Sequence, residues 1–226
     1  MKLADIHFLI TARGGSKGIP RKNLQTIGGI PLVARSILAV HSSGLATRAV
    51  VSTDDSEIAE IATSYGAEVL VRPTEISRDE SSSELAILHF LTSTRVSQGT
   101  LVLIQPTSPF LLGDDLVRLT DATKEFDSCL TVTESHGFLW RLTSAGTLVG
   151  QNHDHGTRLR RQDQANSEYL ENGAAYAMNV EMFMEYKHRF FGKIGFIVMP
   201  RERSIEIDSL SDLRLAECLH ESMSAQ

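Results

Sequence analysis

Short apolar runs alternate with segments of helical spacing along most of this chain, and that alternation limits the possible folds more than any other feature. The apolar runs predict buried strands at residues 6–10, 49–53, 69–71, 101–104 and 129–132. Between them, apolar side chains at helical spacing predict helices at 31–40, around 58–62, at 83–92 and at 114–126. Strands that alternate with helices form a mostly parallel sheet with helices on both faces, so we predict an α/β protein.

The pattern changes after about residue 134. Two short apolar segments, 138–140 and 147–149, flank a Ser-Ala-Gly turn and predict a hairpin. The stretch 151–168 is too polar to be core, and a loop of this length is usually functional or reaches a partner. The α/β pattern then resumes with strands predicted at 173–178 and 194–198 and helices predicted near 180–186 and at 210–220.

Several chemically distinctive stretches directly follow predicted strands: the glycine-rich loop after Ile10, and then Asp54, Arg72 and Gln105. Ligands of parallel α/β sheets bind beyond the carboxyl ends of the strands. The sequence therefore predicts a single binding rim that gathers these four stretches.

The loop LITARGGSKGIPRKN at 9–23 places two glycines beside the cations Arg13, Lys17, Arg21 and Lys22. Glycines let the backbone turn tightly and approach a ligand, and successive N–H groups in such a turn bind anions. Arginine and lysine add charge-assisted hydrogen bonds to phosphate oxygens. The loop matches neither GxxxxGK[ST] nor GxGxxG, so it indicates a polyphosphate cradle of another kind or, alternatively, a solvated basic turn.

The overall charge makes this cationic cluster a local feature. A formal net charge of -6 and a pI of about 5.7 argue against general nucleic-acid binding. The local cations therefore favour a small anion as the ligand. No apolar stretch has the length of a membrane span, and the N-terminus lacks the pattern of a secretory signal. Cys129 and Cys218 lie far apart, which fits a reducing compartment. We therefore expect a cytoplasmic protein without a membrane or nucleic-acid partner.

The segment ARGGSKGIPRKN at 12–23 resembles the opening loop of the acylneuraminate cytidylyltransferases, the enzymes that make CMP-sialic acids. The resemblance continues, in the family's order, across nearly the whole chain. The further blocks are VSTDD (51–55), VRPTEIS (71–77), IQPTSP (104–109), RRQD (160–163), ENGAAY (171–176) and SIEIDSLSDL (204–213). One short motif arises easily by chance, whereas ordered blocks of this number are specific.

The resemblance implies a Rossmann-like nucleotidyltransferase with a mostly parallel central sheet, helices on both faces and one domain spanning 1–226. It implies a homodimer with a protruding dimerisation arm at approximately 135–170 that reaches the active site of the other subunit. The implied reaction transfers CMP from CTP to the anomeric 2-hydroxyl of a nine-carbon 2-keto sugar acid, with Mg²⁺ as cofactor and pyrophosphate as the second product. Phosphoryl transfer of this kind depends on positive charge around the phosphates, which accounts for the cations at 13–22.

The same resemblance assigns the nucleotide site. The residues around the CTP phosphates are Arg13, Gly14, Gly15, Ser16, Lys17, Arg21, Lys22 and Asn23. Cytosine recognition falls on Arg72, Ser81 and Ser83, because hydroxyl and backbone groups supply the donors and acceptors that a pyrimidine needs. Serine is also favoured at helix N-caps, so capping is the alternative role for at least one of the serines at 81–83. Catalytic roles are assigned to Arg13, Lys17, Lys22 and Asp208.

The block SIEID predicts a metal site. In a strand, Glu206 and Asp208 face one side while Ile205 and Ile207 face the other. Adjacent carboxylates repel unless a cation lies between them, and Mg²⁺ prefers a few carboxylates together with phosphate oxygens and water. The family usually has Asp at the position of Glu206, so Asp208 is the firmer ligand. The alternative is an edge strand that simply alternates polar and apolar side chains.

The resemblance assigns sugar binding to Gln105, Arg161, Gln162, Asn172 and Tyr176. Arginine is the natural fork-shaped partner of the C1 carboxylate. Phe190 and Phe191 offer an apolar surface to an N-acyl methyl group or, alternatively, belong to the core. In the implied dimer Arg141, Arg160 and Arg161 act in the partner's site, with Trp140 at the interface. Alternatively, Arg160 belongs to a solvated loop and Arg141 to the surface of the hairpin.

Other readings stay open. Thr11, Leu111 and Leu170 depart from the usual family pattern near the sugar, which leaves N-acetylneuraminate, its deaminated relative, legionaminate and pseudaminate as acceptors. A cytidylyltransferase for another 2-keto acid, such as a shorter KDO-like one, and a catalytically silent CTP-binding homologue are the alternatives. The segment 153–155 (HDH) suggests a metal site but fits a solvated loop better, and the pair at 54–55 (DD) fits either a catalytic role or helix capping.

Overall fold

The computed structural model describes residues 5–45, 48–157 and 168–224. Its strands are β1 (Ile6–Thr11), β2 (Thr26–Ile27), β3 (Ile30–Pro31), β4 (Val50–Thr53), β5 (Glu68–Val71), β6 (Thr100–Ile104), β7 (Ser128–Ser135), β8 (Trp140–Leu142), β9 (Leu148–Gly150), β10 (Glu168–Asn179) and β11 (Ile194–Val198). Its α-helices are α1 (Leu32–Ser43), α2 (Ser56–Ser64), α3 (Ser83–Thr94), α4 (Gly113–Ala122), α5 (Val180–Tyr186) and α6 (Leu210–Ser224).

The main sheet of the described chain has seven strands in the order β11-β7-β10-β6-β1-β4-β5. Only β10 runs antiparallel to its neighbours β6 and β7, and the remaining pairs are parallel. The chain moves outward from β1 through β4 to β5 and then returns to β6 on the other side of β1. Such a reversal of direction separates the loops that follow the two central strands and leaves a crevice between them.

Successive side chains of the central strands point to opposite faces of the sheet and pack into two separate apolar cores. Phe8 and Ile10 of β1 lie in the cluster that α1, α2 and α4 cover, whereas Leu9 lies in the cluster that contains Phe90 of α3 and Phe183 of α5. All five side chains are at least 98% buried. The sheet is therefore covered by helices on both faces, and the predicted α/β architecture is confirmed.

Local chemistry explains how the helices begin and end. The carboxylate of Asp55 accepts hydrogen bonds from the amides of Glu57 and Ile58, at 2.9 and 3.0 Å, and so caps α2. Gly44, in the left-handed region at φ 67°, ends α1. The predicted helix at 114–126 ends earlier, at Ala122, because the next amides bond three residues back and form tighter turns.

Two further elements differ from the sequence-based prediction. Residues 204–208 form no strand within the described sheets; the amide of Ile207 instead donates to the carbonyl of Thr107 at 2.8 Å, so this extended segment lies against a loop. The small hairpin of β2 and β3 was not predicted, because its strands have only two residues each. Gly28 and Gly29, at φ 57° and 75°, form the two-residue turn that joins them.

None of the described helices is both long enough and apolar enough to cross a membrane. The hairpin predicted around residues 138–149 is confirmed as β8 and β9. The extent of a single domain at 1–226 and the dimerising role of the arm stay predictions.

Candidate active site

A pocket of about 160 Å³ lies beyond the carboxyl ends of β1 and β6, at the reversal of strand order. Three loops and the first turn of α3 form its walls. The lining residues are Thr11, Arg13, Gly15, Ser16, Lys22, Asn23, Arg72, Ser81, Ser82, Ser83, Ala86, Gln105, Pro106 and Thr107. The pocket thus brings together most of the residues that the sequence assigns to nucleotide binding, although these lie as far apart in the chain as Arg13 and Ser83.

The glycine loop is anchored to the neighbouring strand and to itself. The amide of Gly14 donates to Asp54 Oδ1 at 2.9 Å, and Asn23 Nδ2 donates to the carbonyl of Arg13 at 2.8 Å. A Cβ added at Gly15 would meet no atom within 4 Å, whereas one at Gly18 would collide with the carbonyl oxygen of Asp208. Glycine is therefore required at position 18, where the loop approaches the segment that carries Asp208.

The four cations of the loop have different surroundings. Lys22 Nζ lies 3.0 Å from Asp208 Oδ1. Arg13 Nη1 lies 2.7 Å from Asp79 Oδ1, and Lys17 Nζ lies 3.3 Å from Asp79 Oδ2. Lys17 stands outside the pocket wall, with 76% of its side chain exposed.

The remaining cation, Arg21, turns towards α2. It pairs with Glu57 at 2.7 Å and with Asp55 at 3.3 Å, and its own backbone is left-handed at φ 54°. The structure thus places Arg21 against the start of a helix and away from the pocket wall. Its predicted contact with CTP stays a prediction.

Arg72 and the serines of 81–83 form the opposite wall. The buried Arg72 donates to Ser52 Oγ at 3.1 Å and to the Ser52 carbonyl at 2.5 Å. Burial lowers the pKa of its guanidinium, and the charge of Asp54 opposes that effect. Ser82 occupies the N-cap position of α3, but no serine hydroxyl caps the helix amides. Ser81, Ser82 and Ser83 line the pocket, and the helix dipole favours negative charge at this end of α3.

Glu206 and Asp208 lie next to two residues of the pocket wall, Thr107 and Lys22. Ile207 between them is fully buried, so the two carboxylates share one side of the extended segment, as predicted from its alternation. Burial and the charge of Asp208 raise the pKa of Glu206 above its ordinary value, while Lys22 opposes the shift. A hard cation would relieve this repulsion, and oxygen donors of this kind suit Mg²⁺ when phosphate and water complete its shell.

Within the described residues, no group of three or more His, Cys, Asp or Glu side chains is arranged to hold a metal by itself. A metal at Glu206 and Asp208 would thus depend on oxygens of the substrate. That dependence is the usual behaviour of Mg²⁺ at phosphate-transfer sites.

The wall next to Glu206 contains Gln105 and Gly173. A methyl group at Gly173, whose φ is 69°, would lie 3.3 Å from Glu206 Oε1 and 3.5 Å from Gln105 Oε1. Thr107 Oγ1 lies 3.5 Å from Glu206 Oε1. These contacts bring the predicted sugar-binding residue Gln105 and the predicted metal segment to one place.

A sequence profile described as "Cytidylyltransferase" matches residues 7–217. The chain belongs to the cytidylyltransferase family. It is 37% identical over 221 residues to N-acylneuraminate cytidylyltransferase A of Danio rerio and 32% identical over 225 residues to N-acylneuraminate cytidylyltransferase of Escherichia coli O18:K1:H7. Each match covers 96% of this chain but only 51% and 52% of those relatives, so the chain spans about half of their length.

A relative of similar size is the pseudaminic acid cytidylyltransferase of Campylobacter jejuni serotype O:23/36, which is 30% identical with 94% of both chains covered. Two solved structures share the fold. CMP:2-keto-3-deoxy-manno-octonic acid synthetase complexed with CTP has a TM-score of 0.73 at 12% identity, with 97% of this chain and 100% of that chain covered. A 4-diphosphocytidyl-2C-methyl-D-erythritol synthase from Anaerococcus prevotii has a TM-score of 0.71 at 13% identity, with 96% and 98% covered.

In this cytidylyltransferase, the polar atoms of Asn172 bond to other residues of the protein. Its amide oxygen accepts from Thr131 Oγ1 at 2.6 Å, and its amide nitrogen donates to Ser204 Oγ at 3.1 Å and to Met199 Sδ at 3.4 Å. The side chain is buried and links β7, β10 and the segment that carries Glu206. A sugar contact by Asn172 stays a prediction, since its polar atoms already have protein partners.

Tyr176 belongs to a series of polar contacts that sequence reasoning missed. Its hydroxyl donates to Glu171 Oε1 at 2.5 Å, and the Arg189 guanidinium lies 4.6 Å from the centre of its ring. Arg189 Nε donates to Glu84 Oε1, in the first turn of α3, at 2.8 Å. Burial raises the pKa of Tyr176, and Glu171 raises it further, so the phenol stays protonated and donates.

Several predicted residues lie elsewhere. Arg160, Arg161 and Gln162 fall outside the described residues. His153 packs on Phe138 and Trp140 with ring centroids 4.8 Å away in each case, and Asp154 accepts from the Gly156 amide, which supports the loop interpretation of 153–155. The pair at 54–55 is explained structurally, because one carboxylate holds the glycine loop and the other caps α2.

Proposed function

We propose that the protein transfers CMP from CTP to the anomeric 2-hydroxyl of a nonulosonic acid and releases pyrophosphate. The observation that carries this proposal is a pocket lined by a cationic glycine loop and a serine-rich helix start, two of whose lining residues, Lys22 and Thr107, contact the carboxylates of Asp208 and Glu206. The relatives that support it are named for N-acylneuraminate and for pseudaminic acid, which are both sugar acids of this class.

The nucleotide has a natural orientation in this pocket. Arg13 and Lys22 line the pocket on the side of the glycine loop, and Lys17 shares the carboxylate of Asp79 with Arg13, so the triphosphate belongs there. The cytosine belongs against Ser81 and Ser83, where hydroxyls and helix amides supply donors and acceptors for its amine and carbonyl. Arg72 stays a candidate for the base side, although two of its donors are used by Ser52.

Asp208 and Glu206 would hold Mg²⁺ together with phosphate oxygens. When bound there, the ion neutralises charge on the phosphates and screens Asp208 from Glu206. Lys22 contributes a second positive charge from the protein itself, because its ammonium already contacts Asp208. By holding Lys22 and Mg²⁺, the two carboxylates would place positive charge where negative charge develops as the bond to pyrophosphate breaks.

The acceptor belongs beside Gln105, Gly173 and Tyr176, next to the carboxylate of Glu206. From there its 2-hydroxyl attacks the α-phosphorus in line with the leaving pyrophosphate. The new bond joins the sugar oxygen to phosphorus, the bond from phosphorus to the bridging oxygen breaks, and the hydroxyl proton passes to solvent. Arg161 and Gln162 remain proposed ligands of the acid.

The proposed assembly is a homodimer in the cytoplasm. Hairpin β8–β9 exposes Trp140, Leu142 and Leu148, with 46%, 67% and 59% of their surfaces accessible, and such apolar side chains suit a partner surface. Both cysteines are free, as expected in a reducing compartment.

The test is pyrophosphate release from CTP, UTP, ATP and GTP with a panel of sugar acids and Mg²⁺. We expect turnover with CTP and a nonulosonic acid, and none with the other nucleotides. Preferred turnover of a shorter 2-keto acid would instead support the KDO-like alternative. CTP binding without turnover of any acid would support the catalytically silent alternative and overturn the proposal.

A further inference from the structure

Asp79 lies between two of the cations that face the triphosphate in the proposed function. One of its carboxylate oxygens is 2.7 Å from Arg13 Nη1 and the other is 3.3 Å from Lys17 Nζ. Both oxygens are thus used by the glycine loop, although Asp79 itself lies in the loop that leads from β5 to α3. The contact joins the two loops that border the pocket.

The chemistry of this contact is that of a phosphate group. A carboxylate presents two anionic oxygens to the N–H donors of arginine and lysine, in the same way as a non-bridging pair of phosphate oxygens. Desolvation raises the pKa of Asp79, but Lys17 and Arg13 together outweigh it and hold the pKa below its ordinary value. Asp79 is therefore an anion at any pH at which the enzyme would work.

The contact is also weak enough to exchange. The side chains of Arg13, Lys17 and Asp79 are 30%, 76% and 39% exposed. Ion pairs exposed to this degree contribute little, because water and salt screen them. A triphosphate with several negative charges can replace a single carboxylate at these donors.

We propose that Asp79 is a functional residue of the nucleotide site, where it competes with the triphosphate for Arg13 and Lys17. It sets the affinity for CTP below the value that the cations alone would give, and it pairs again with them as pyrophosphate leaves. The identity of the displacing nucleotide rests on the proposed function, whereas the competition with a polyphosphate does not.

The position of Asp79 also connects the two ends of the nucleotide. Ser81 follows two residues later and closes a turn by donating its amide to the carbonyl of Arg78 at 3.0 Å. A carboxylate that leaves Arg13 therefore moves within the same short turn that carries the proposed cytosine contact. One short turn therefore carries both the competing carboxylate of Asp79 and the proposed base contact of Ser81.

The test compares Asp79→Asn with Glu80→Gln. Glu80 is an exposed carboxylate in the same loop, and the described part of the chain gives it no ion-pair partner, so both substitutions remove one negative charge. Inorganic tripolyphosphate and CTP are titrated calorimetrically into each protein. We expect Asp79→Asn to bind both about 3- to 10-fold more tightly than the parent, as weak exposed pairs predict, and Glu80→Gln to change binding less than twofold. Asp79→Glu should restore the parent affinity.

Steady-state kinetics give the second readout. The KM for CTP and the inhibition constant for pyrophosphate should both fall in Asp79→Asn, and the difference should shrink in high salt. An unchanged or weaker affinity for tripolyphosphate in Asp79→Asn would overturn the proposal and make Asp79 a residue that orients the cations. A parent protein without CTP turnover would overturn the proposed function, while the tripolyphosphate titration would still decide the role of Asp79.

Discussion

Lys22 Nζ and Asp208 Oδ1 lie 3.0 Å apart, although 186 residues separate them in the chain. This pair joins the glycine loop to the extended segment that carries Glu206. Only 17% of the Lys22 side chain is exposed, against 67% of that of Asp208. The lysine therefore acts as the fixed positive group, and the carboxylate remains accessible to a metal and to substrate oxygens.

Replacing Asp208 with Asn should abolish most turnover. The amide keeps the shape of the side chain but removes the charge that would hold Mg²⁺ against the phosphates. We expect kcat to fall by about 10²- to 10³-fold, the usual effect of losing one electrostatic group of an active site. The Mg²⁺ concentration that gives half-maximal activity should also rise. Glu202→Gln, an exposed carboxylate on the nearby turn, is the control; an equal loss there would refute the assignment.

Replacing Glu206 with Gln should stabilise the metal-free protein at neutral pH. Because burial and Asp208 raise the pKa of Glu206, ionisation opposes folding as the pH rises from the ordinary pKa of 4.5 through the raised value. Below pH 4.5 the carboxyl is protonated in both the folded and unfolded states, so the gain from Gln should vanish there. Thermal melts from pH 4 to 8 with a chelator measure the difference. If the stability gained in Glu206→Gln did not change with pH, the charge of Glu206 would not be its cause.

The fold was predictable because its signals are local. The bounds of α5 and β11 agree with the sequence pattern at both ends, since Asn179 caps the helix with its side chain and the strand is a continuous apolar run. The segment 204–208 was mistaken for a strand, because alternation reports which side is buried and not whether a neighbouring strand is present. The side chain of Ile207 is instead buried in an apolar cluster with Ile19 and Phe110, and its amide donates to the carbonyl of Thr107.

The site was predictable as a set of positions and not as a set of contacts. Motifs that follow strands converge on one rim, so Arg13, Ser81 and Gln105 line the same pocket as expected from topology. Their partners could not be predicted, because Asp79 stands in no motif and Arg189 lies 105 residues from Glu84. Such pairs depend on how loops pack, and no periodicity in the sequence records that packing.

Replacing Arg189 with Met should destabilise the protein. Glu84 and Arg189 are each only 14% exposed, so the substitution leaves a largely buried carboxylate without its cation. We expect a loss of about 2–4 kcal/mol in the free energy of unfolding, near the range for a broken buried pair. The double variant Arg189→Met with Glu84→Gln should recover part of it. Denaturant titrations measure both, and a double variant as unstable as the single one would refute the pairing.

The same pair predicts a dependence on pH. Burial raises the pKa of Glu84, but Arg189 together with hydrogen bonds from the Glu84 amide and Ser82 outweighs burial and holds the pKa below its ordinary value of 4.5. Its contribution to stability is therefore present above pH 4.5 and is lost as the pH falls through the lowered pKa. The difference in the free energy of unfolding between the parent and Arg189→Met should therefore become smaller as the pH falls below 4.5. A difference that grows with acidification would contradict this sign.

Replacing Gly18 with Ala should separate the glycine loop from the carboxylate segment. The new Cβ would overlap the carbonyl oxygen of Asp208, and that oxygen belongs to the backbone, so it cannot rotate away. We expect a loss of about 1–3 kcal/mol in the free energy of unfolding, as for other overpacked sites. Gly15→Ala is the matched variant for stability, since no atom lies within 4 Å of its added Cβ. Equal stability of the two variants would show that the loop does not approach Asp208 as closely as in this structure.

Replacing Leu142 with Asp should dissociate the proposed homodimer. Leu142 in β8 faces Leu148 across the hairpin, and both side chains are mostly exposed, so a charge there has little effect within one subunit. In an apolar interface between subunits the same charge would be buried without a partner and would be strongly unfavourable. Sedimentation velocity should then show dimers for the parent and monomers for Leu142→Asp. Leu215→Asp on α6, where the leucine is 55% exposed, provides the control and should remain dimeric. A parent that sediments as a monomer, or a Leu142→Asp protein that stays dimeric, would mean that the hairpin does not join the subunits.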